Sequence, residues 1–261
     1  MIPGYLELEF PLLERLADEL QREFEALDAM AMSEANLGQI PDDAQGVYEL
    51  FHHGALAYIG KTDADAGLGQ RLARHRKKLR HRHGITPNDV GYKAIRLYTF
   101  TALDLEAELI RRHGGTACVP WNGSGFGAND PGRERDTTTY KDDHFDKRFP
   151  IDIDRPLDLD VSSCGTVGDV LVKLKDHVPY VIRFARDGRK HRPHPDLMGS
   201  VTRVGRMKGS CRSLLAHVVP ALPRGWRLHA LPSHLVLYDD TRQYRGGELI
   251  AQGAAERRAQ T

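Results

Sequence analysis

Gly46-Val47-Tyr48 is followed ten residues later by Tyr58-Ile59-Gly60, and then in order by Arg71, His75, Glu106 and Asn122. These residue types can serve chemistry at a phosphoryl centre. Phosphodiester hydrolysis needs an activated oxygen nucleophile, neutralisation of charge on the phosphoryl oxygens and help for the leaving oxygen. Arg71 offers fixed, bidentate positive charge to the scissile phosphate. The Glu106 carboxylate is a hard oxygen ligand suited to one Mg²⁺, whose other positions water and phosphate oxygens would fill. Each residue also has a plain structural alternative. Tyr48 and Tyr58 can pack in a hairpin, Glu106 can pair with Arg112 or Lys93, and Glu108 competes with Glu106 as the ligand. His52, His53, His81 and His83 read as surface or phosphate-contacting side chains. His191-Arg-Pro-His194 lacks further ligands at zinc-like spacing.

Positive charge gathers beside this set. Residues 1–43 carry eleven acids against Arg15 and Arg22. No acid occurs between Asp65 and Asp89, while Arg71, Arg74, Arg76, Lys77, Lys78, Arg80 and Arg82 supply seven cations. A second basic region runs from Arg183 to Arg212. A charge run is commonly a solvated helix face. Here the missing acids, the interleaved histidines and the Gly-rich approach favour a phosphate backbone as partner.

The elements that must position these groups follow from periodicity. Leu13, Leu16, Leu20, Phe24 and Leu27 predict an amphipathic helix from Pro11 to Ala31. Ala44 to Phe51 and Ala55 to Gly60, separated by His52-His53-Gly54, predict a β-hairpin. A cationic helix is expected from Gln70 to His83, a third strand from Tyr92 to Phe100, and a helix from Ala102 to His113 capped by Thr101. Trp121 to Asp136 reads as a long loop, and the Asp-rich stretch 141–160 as an acidic linker that brackets Asp152-Ile-Asp154 with prolines. Beyond it, Thr166 to His177 and Ser210 to Val219 are predicted helices, each leading into a strand, with residues 187–208 as a loop.

The motif order, together with Leu105-Glu106-Ala-Glu-Leu109-Ile110, resembles the GIY-YIG nuclease superfamily over about residues 44–123. The resemblance implies an α+β fold: a three-stranded antiparallel sheet flanked by helices, here with an N-terminal helical arm (1–43) and a C-terminal α/β appendage (161–245) and tail (246–261). It assigns Tyr48 as general base, with a pKa that Lys61 and the metal would have to depress from about 10. It gives Tyr58 and His75 hydrogen bonds to phosphate or water, and it gives Asn122 a steadying role. One departure is the stretch Gly114 to Cys118, which lengthens the path from the helix to Asn122. Gly125-Phe-Gly-Ala-Asn129-Asp-Pro-Gly132-Arg133 resembles a loop of the superfamily's type II restriction endonucleases, cutters of GC-rich palindromes, and His75 is also a feature of that branch. From this follow the expected DNA contacts Lys61, Arg74, Arg76, Lys77, Lys78, Arg80, Asn129 and Arg133. Double-stranded DNA, a homodimer and a cognate DNA methyltransferase are the implied partners.

Composition sets the outer bounds. The 261 residues balance 37 Lys and Arg against 36 Asp and Glu and are 40% hydrophobic, enough for a packed core. The N-terminus shows no signal-peptide pattern, the apolar runs are short, and the three cysteines are widely spaced, so a cytoplasmic protein is expected. Competing readings are a structure-specific or repair nuclease of the same superfamily, and a catalytically idle DNA-binding module.

Overall fold

A computed structural model of the chain describes residues 4, 6–63, 65–98, 105–127, 136–188, 192–202, 204 and 206–256, with the backbone alone for 206–208. Thr101, Asn129 and Arg133 lie outside the described residues. The fold is α+β and divides into two compact units, residues 1–77 with 86–127, and residues 78–85 with 128–261. No helix among the described residues is long and apolar enough to cross a membrane.

The first unit is built on four antiparallel strands, β1 (Met30–Ala31), β2 (Gly46–His52), β3 (Ala55–Lys61) and β4 (Val90–Arg96), in the order β1-β4-β2-β3. The predicted hairpin is β2–β3. Its turn residues His53 (φ 50°) and Gly54 (φ 80°) are both left-handed, as a two-residue hairpin turn requires. Sequence reading anticipated three strands. The fourth, β1, arises because the N-terminal helix α1 (Leu12–Ala26) stops short of the expected Ala31. Leu27 turns extended, and Met30 and Ala31 pair with Tyr92 and Gly91 of β4.

Alternation along the central strands sends side chains to opposite faces. Val47 and Ile59 join Leu20 and Phe24 of α1, and Leu105 and Leu109 of α4 (Leu105–Arg112), in one buried cluster. The short α2 (Glu34–Leu37) precedes β2, and α3 (Leu68–Leu79) follows the hairpin. Along α3, Leu68, Leu72, His75 and Leu79 are buried at three- and four-residue spacing, while Arg74 and Lys77 are exposed. The cationic helix therefore has an inward stripe, and His75 belongs to it.

The second unit contains α5 (Phe145–Arg148), β5 (Pro156–Asp160), α6 (Val167–His177), β6 (Val181–Phe184), α7 (Pro195–Gly199), β7 (Arg206–Ser210), α8 (Cys211–Val218), β8 (Trp226–Ala230), β9 (His234–Asp239) and β10 (Glu248–Gln252). One sheet runs β10-β8-β9-β6, with β6 parallel to β9 and the other pairs antiparallel; β5 and β7 form a separate ribbon. Both expected helix-then-strand pairs are present as α6–β6 and α8–β8. Three boundaries differ from expectation. The acidic linker 141–160 carries α5 and β5, because Ile151, Ile153, Leu157 and Leu159 alternate with its acids and enter the core with α6 and α8. The loop 187–208 holds α7 and the start of β7, and the tail from 246 supplies β10.

Candidate functional site

Tyr48 of β2, Tyr58 of β3 and His75 of α3 meet on the sheet face opposite the α1–α4 cluster. The Tyr48 hydroxyl lies 2.7 Å from His75 Nε2. The ring centroids are 6.1 Å apart for Tyr48–Tyr58 and 5.3 Å for Tyr58–His75. Phe126 lies nearly parallel to His75 at 4.8 Å, meets Tyr58 edge-on at 5.3 Å, and is backed by Trp121 at 4.7 Å. Two glycines make room for the phenols. A Cβ on Gly60 would stand 2.4 Å from the Tyr48 hydroxyl, and one on Gly127 would stand 2.3 Å from that of Tyr58. The last glycine of the Tyr-Ile-Gly motif is thus required by the tyrosine on the neighbouring strand, its cross-strand partner.

Electrostatics depart from the expectation for Tyr48. Burial dominates and pushes its pKa upward, helped by the neighbouring Tyr58 and by Glu106, while Arg71 pulls the other way. Tyr58 is pushed up to about 12, again chiefly by burial. Neither phenol is a resting phenolate. Desolvation of a fully buried phenol exceeds the pull of the Arg71 charge on it. The α3 group within hydrogen-bond reach of the Tyr48 hydroxyl is the His75 imidazole.

Glu106 and Glu108 separate cleanly. Glu108 accepts bonds from Arg111 Nε and Nη2 at 2.8 and 2.6 Å and from Arg112 Nε at 2.8 Å, which hold its pKa down to about 2. Arg112 also reaches Asp18 of α1, and Lys93 donates to the Phe24 carbonyl. Glu108 is therefore committed to joining α4 to α1. Glu106, half-buried, acts instead on Tyr48 and Tyr58.

Arg71 donates through Nε and Nη2 to the Lys61 carbonyl at 3.2 and 2.9 Å, and Nη1 lies 3.1 Å from Asp63. Lys61 thus serves Arg71 through its backbone, and Asp63 is a partner that the motif order did not reveal. The Asn122 amide receives the Ile59 N–H on Oδ1 and donates from Nδ2 to the Ile59 carbonyl, both at 2.9 Å. With Trp121 N–H on the Ala57 carbonyl, it imitates a strand along the outer edge of β3 and holds the Tyr58 segment.

The cationic residues sort into surface and structure. Arg74, Lys77 and Arg80 are exposed, with no ion pair among the described residues. Arg76 donates to the Met32 carbonyl at 3.1 Å and to Glu34 at 2.7 Å. Lys78, grouped with the second unit, sits over the Phe145 ring at 5.5 Å. Arg82 is buried, pairs with Asp146 at 2.9 Å and donates to the Phe149 carbonyl at 2.5 Å, so it leaves the basic patch altogether. The aromatic wall of Trp121 and Phe126 was not anticipated as part of the site. Its signal was the bulky pair inside an otherwise Gly- and Asn-rich stretch, where large rings must find a partner. Neither the protein-family models nor the curated proteins include a match to this chain.

Proposed function

We propose that the chain is a Mg²⁺-dependent nuclease of GIY-YIG type, acting as a type II restriction endonuclease on double-stranded DNA, with a GC-rich palindrome as target and a homodimer as the working form. The observation that carries the reading is the 2.7 Å approach of the Tyr48 hydroxyl to His75 Nε2, beside Arg71 and Glu106. A buried phenol with a raised pKa cannot act as a free base at neutral pH. It can pass a proton on. With His75 in the tautomer that leaves Nε2 unprotonated, the Tyr48 oxygen takes a proton from the attacking water while its own proton moves to Nε2. Arg71 turns from Asp63 towards the scissile phosphate and keeps its bonds to the Lys61 carbonyl.

The donor set suits Mg²⁺. This ion usually takes one or two protein carboxylates and completes its shell with water and phosphate oxygens. Glu106 is the carboxylate near both phenols, and Glu108 is already neutralised. When bound, the ion would offset charge developing on the phosphoryl oxygens. Arg74, Lys77 and Arg80 supply sequence-independent phosphate affinity.

The test is incubation of the pure protein with mixed plasmid and phage DNA, with and without Mg²⁺. Discrete bands that need Mg²⁺ are expected. A smear or a preference for branched DNA would move the reading to a repair-type nuclease, and intact DNA under all conditions would leave only a binding module.

A further inference from the structure

Within the second unit, a cavity of about 540 Å³ lies along β6, the edge strand of its sheet. Its size falls in the usual small-molecule range of roughly 300–1,000 Å³. Its lining includes Lys175, Arg183, Arg186, Tyr238 and the apolar Val181 and Phe184, and none of the described lining residues is acidic. Two of these groups are held from behind. Arg183 and Tyr238 both donate to Asp136, Tyr238 to Oδ2 at 3.3 Å, while His234 Nε2 lies 2.8 Å from Oδ1. Asp136 is 1% exposed, so the carboxylate that fixes this arginine and this hydroxyl stays out of the cavity. Lys175 and Arg186 are exposed, and Phe184 is half-buried. Donors fixed before a ligand arrives lose little freedom on binding.

We infer that this cavity binds a nucleotide by its phosphate group. The cations meet the phosphate oxygens, and the Phe184 side offers the apolar surface on which bases stack. The phosphate of a DNA strand and that of a free nucleotide present the same chemistry. As a contact to DNA the site rests on the nuclease reading; as a site for a free nucleotide it stands without it.

The experiment compares the full-length protein with its Lys175→Ala/Arg186→Ala variant, two exposed positions away from the Tyr48 site, after thermal unfolding has shown equal folding. In EDTA, each is titrated into a fluorescein-labelled duplex by anisotropy and into a fluorescent ATP analogue by emission. Plasmid cleavage with Mg²⁺ is measured on the same samples. Binding of one probe or both is expected to weaken on the order of ten-fold in the variant, and the salt slope of duplex binding to fall by about two, close to one per lost phosphate contact. Loss confined to the duplex identifies a strand phosphate, and loss confined to the analogue a free nucleotide. Equal binding of both probes by the two proteins overturns the inference, and intact Mg²⁺-dependent cleavage in those samples leaves the nuclease reading standing. A parent protein that binds neither probe also overturns it.

Discussion

In the proposed nuclease, Tyr48 is the residue on which the proton path turns. Its ring is fully buried and its hydroxyl meets His75 and Tyr58, so Tyr48→Phe removes those hydrogen bonds and leaves the packing in place. The variant is expected to lose roughly 10²–10⁴-fold in cleavage rate, the usual worth of general acid–base help. Its stability should change by only about 1 kcal/mol. Cleavage assays and thermal melts on the same sample check both; a near-parental rate would remove Tyr48 from the proton path and leave His75 acting directly on water. The two helix carboxylates give a contrasting pair. Glu106→Ala should abolish cleavage and leave duplex binding in EDTA largely intact. Glu108→Ala should cost about 1–3 kcal/mol of stability, because it strands Arg111 and Arg112, while the folded fraction still cuts. Inactivity of folded Glu108→Ala alongside normal cutting by Glu106→Ala would reverse the assignment.

At the scale of elements, the β2–β3 hairpin is held by close approaches. Gly60→Ala drives a methyl into the Tyr48 ring from the adjacent strand. Overpacking of this kind typically costs about 1–3 kcal/mol, and here it also displaces the phenol from His75. The variant should melt earlier and cut far more slowly than its loss of fold explains. The opposite face of the same strand holds Glu49, whose pKa burial raises to about 7 against the pull of Lys93, with Glu25 pushing the same way as burial. His113 Nε2 lies 3.4 Å from Glu49 Oε1, and burial lowers the His113 pKa. For Glu49 the folded pKa exceeds the unfolded one, so its contribution is fully present below the unfolded value and is lost as pH rises through about 7. His113 has the opposite sign and weakens the fold as pH falls below its ordinary value. Glu49→Gln is therefore expected to gain about 2 kcal/mol relative to the parent between pH 5 and pH 8. Urea melts at the two pH values measure it, and parallel behaviour of the two proteins would show that Glu49 ionises freely.

For the whole molecule, the nuclease reading makes assembly the decisive question. A site with one carboxylate for metal and one Tyr–His pair serves one phosphodiester at a time. Symmetric cutting of a palindrome then calls for a two-fold dimer. The apolar face of α1, one candidate for joining protomers, is already spent: Ala17, Leu20 and Phe24 are buried within the first unit. The exposed Leu6, Leu8, Phe10 and Leu12 before and at its start remain available, as does the second unit. A homodimer on cognate duplex is expected, with linear plasmid appearing without much nicked intermediate. A monomer by light scattering that releases mainly nicked circles would refute the dimer.

Features that depend on neighbours along the chain can be read from the residues alone. The hairpin turn at His53-Gly54, the period-two placement of Tyr48 opposite Val47, and the inward spacing of Leu68, Leu72, His75 and Leu79 are local patterns that any packing must honour. The order Tyr48, Tyr58, Arg71, Glu106 and Asn122 was equally legible. Tertiary structure alone decided which groups touch across long separations and which lose water. It joined Tyr48 to His75 across 27 residues, tied Asn122 to Ile59 across 63, and spent Glu108 rather than Glu106 on arginines. It also buried Arg82 on Asp146 while leaving Arg74, Lys77 and Arg80 at the surface. It folded the acidic stretch 141–160 into a core, because alternate apolar residues there outweighed the charge pattern. The physical reason is common to all of these. Periodicity encodes which face a side chain takes, but hydrogen-bond partners and desolvation are set by what the rest of the chain brings to that face.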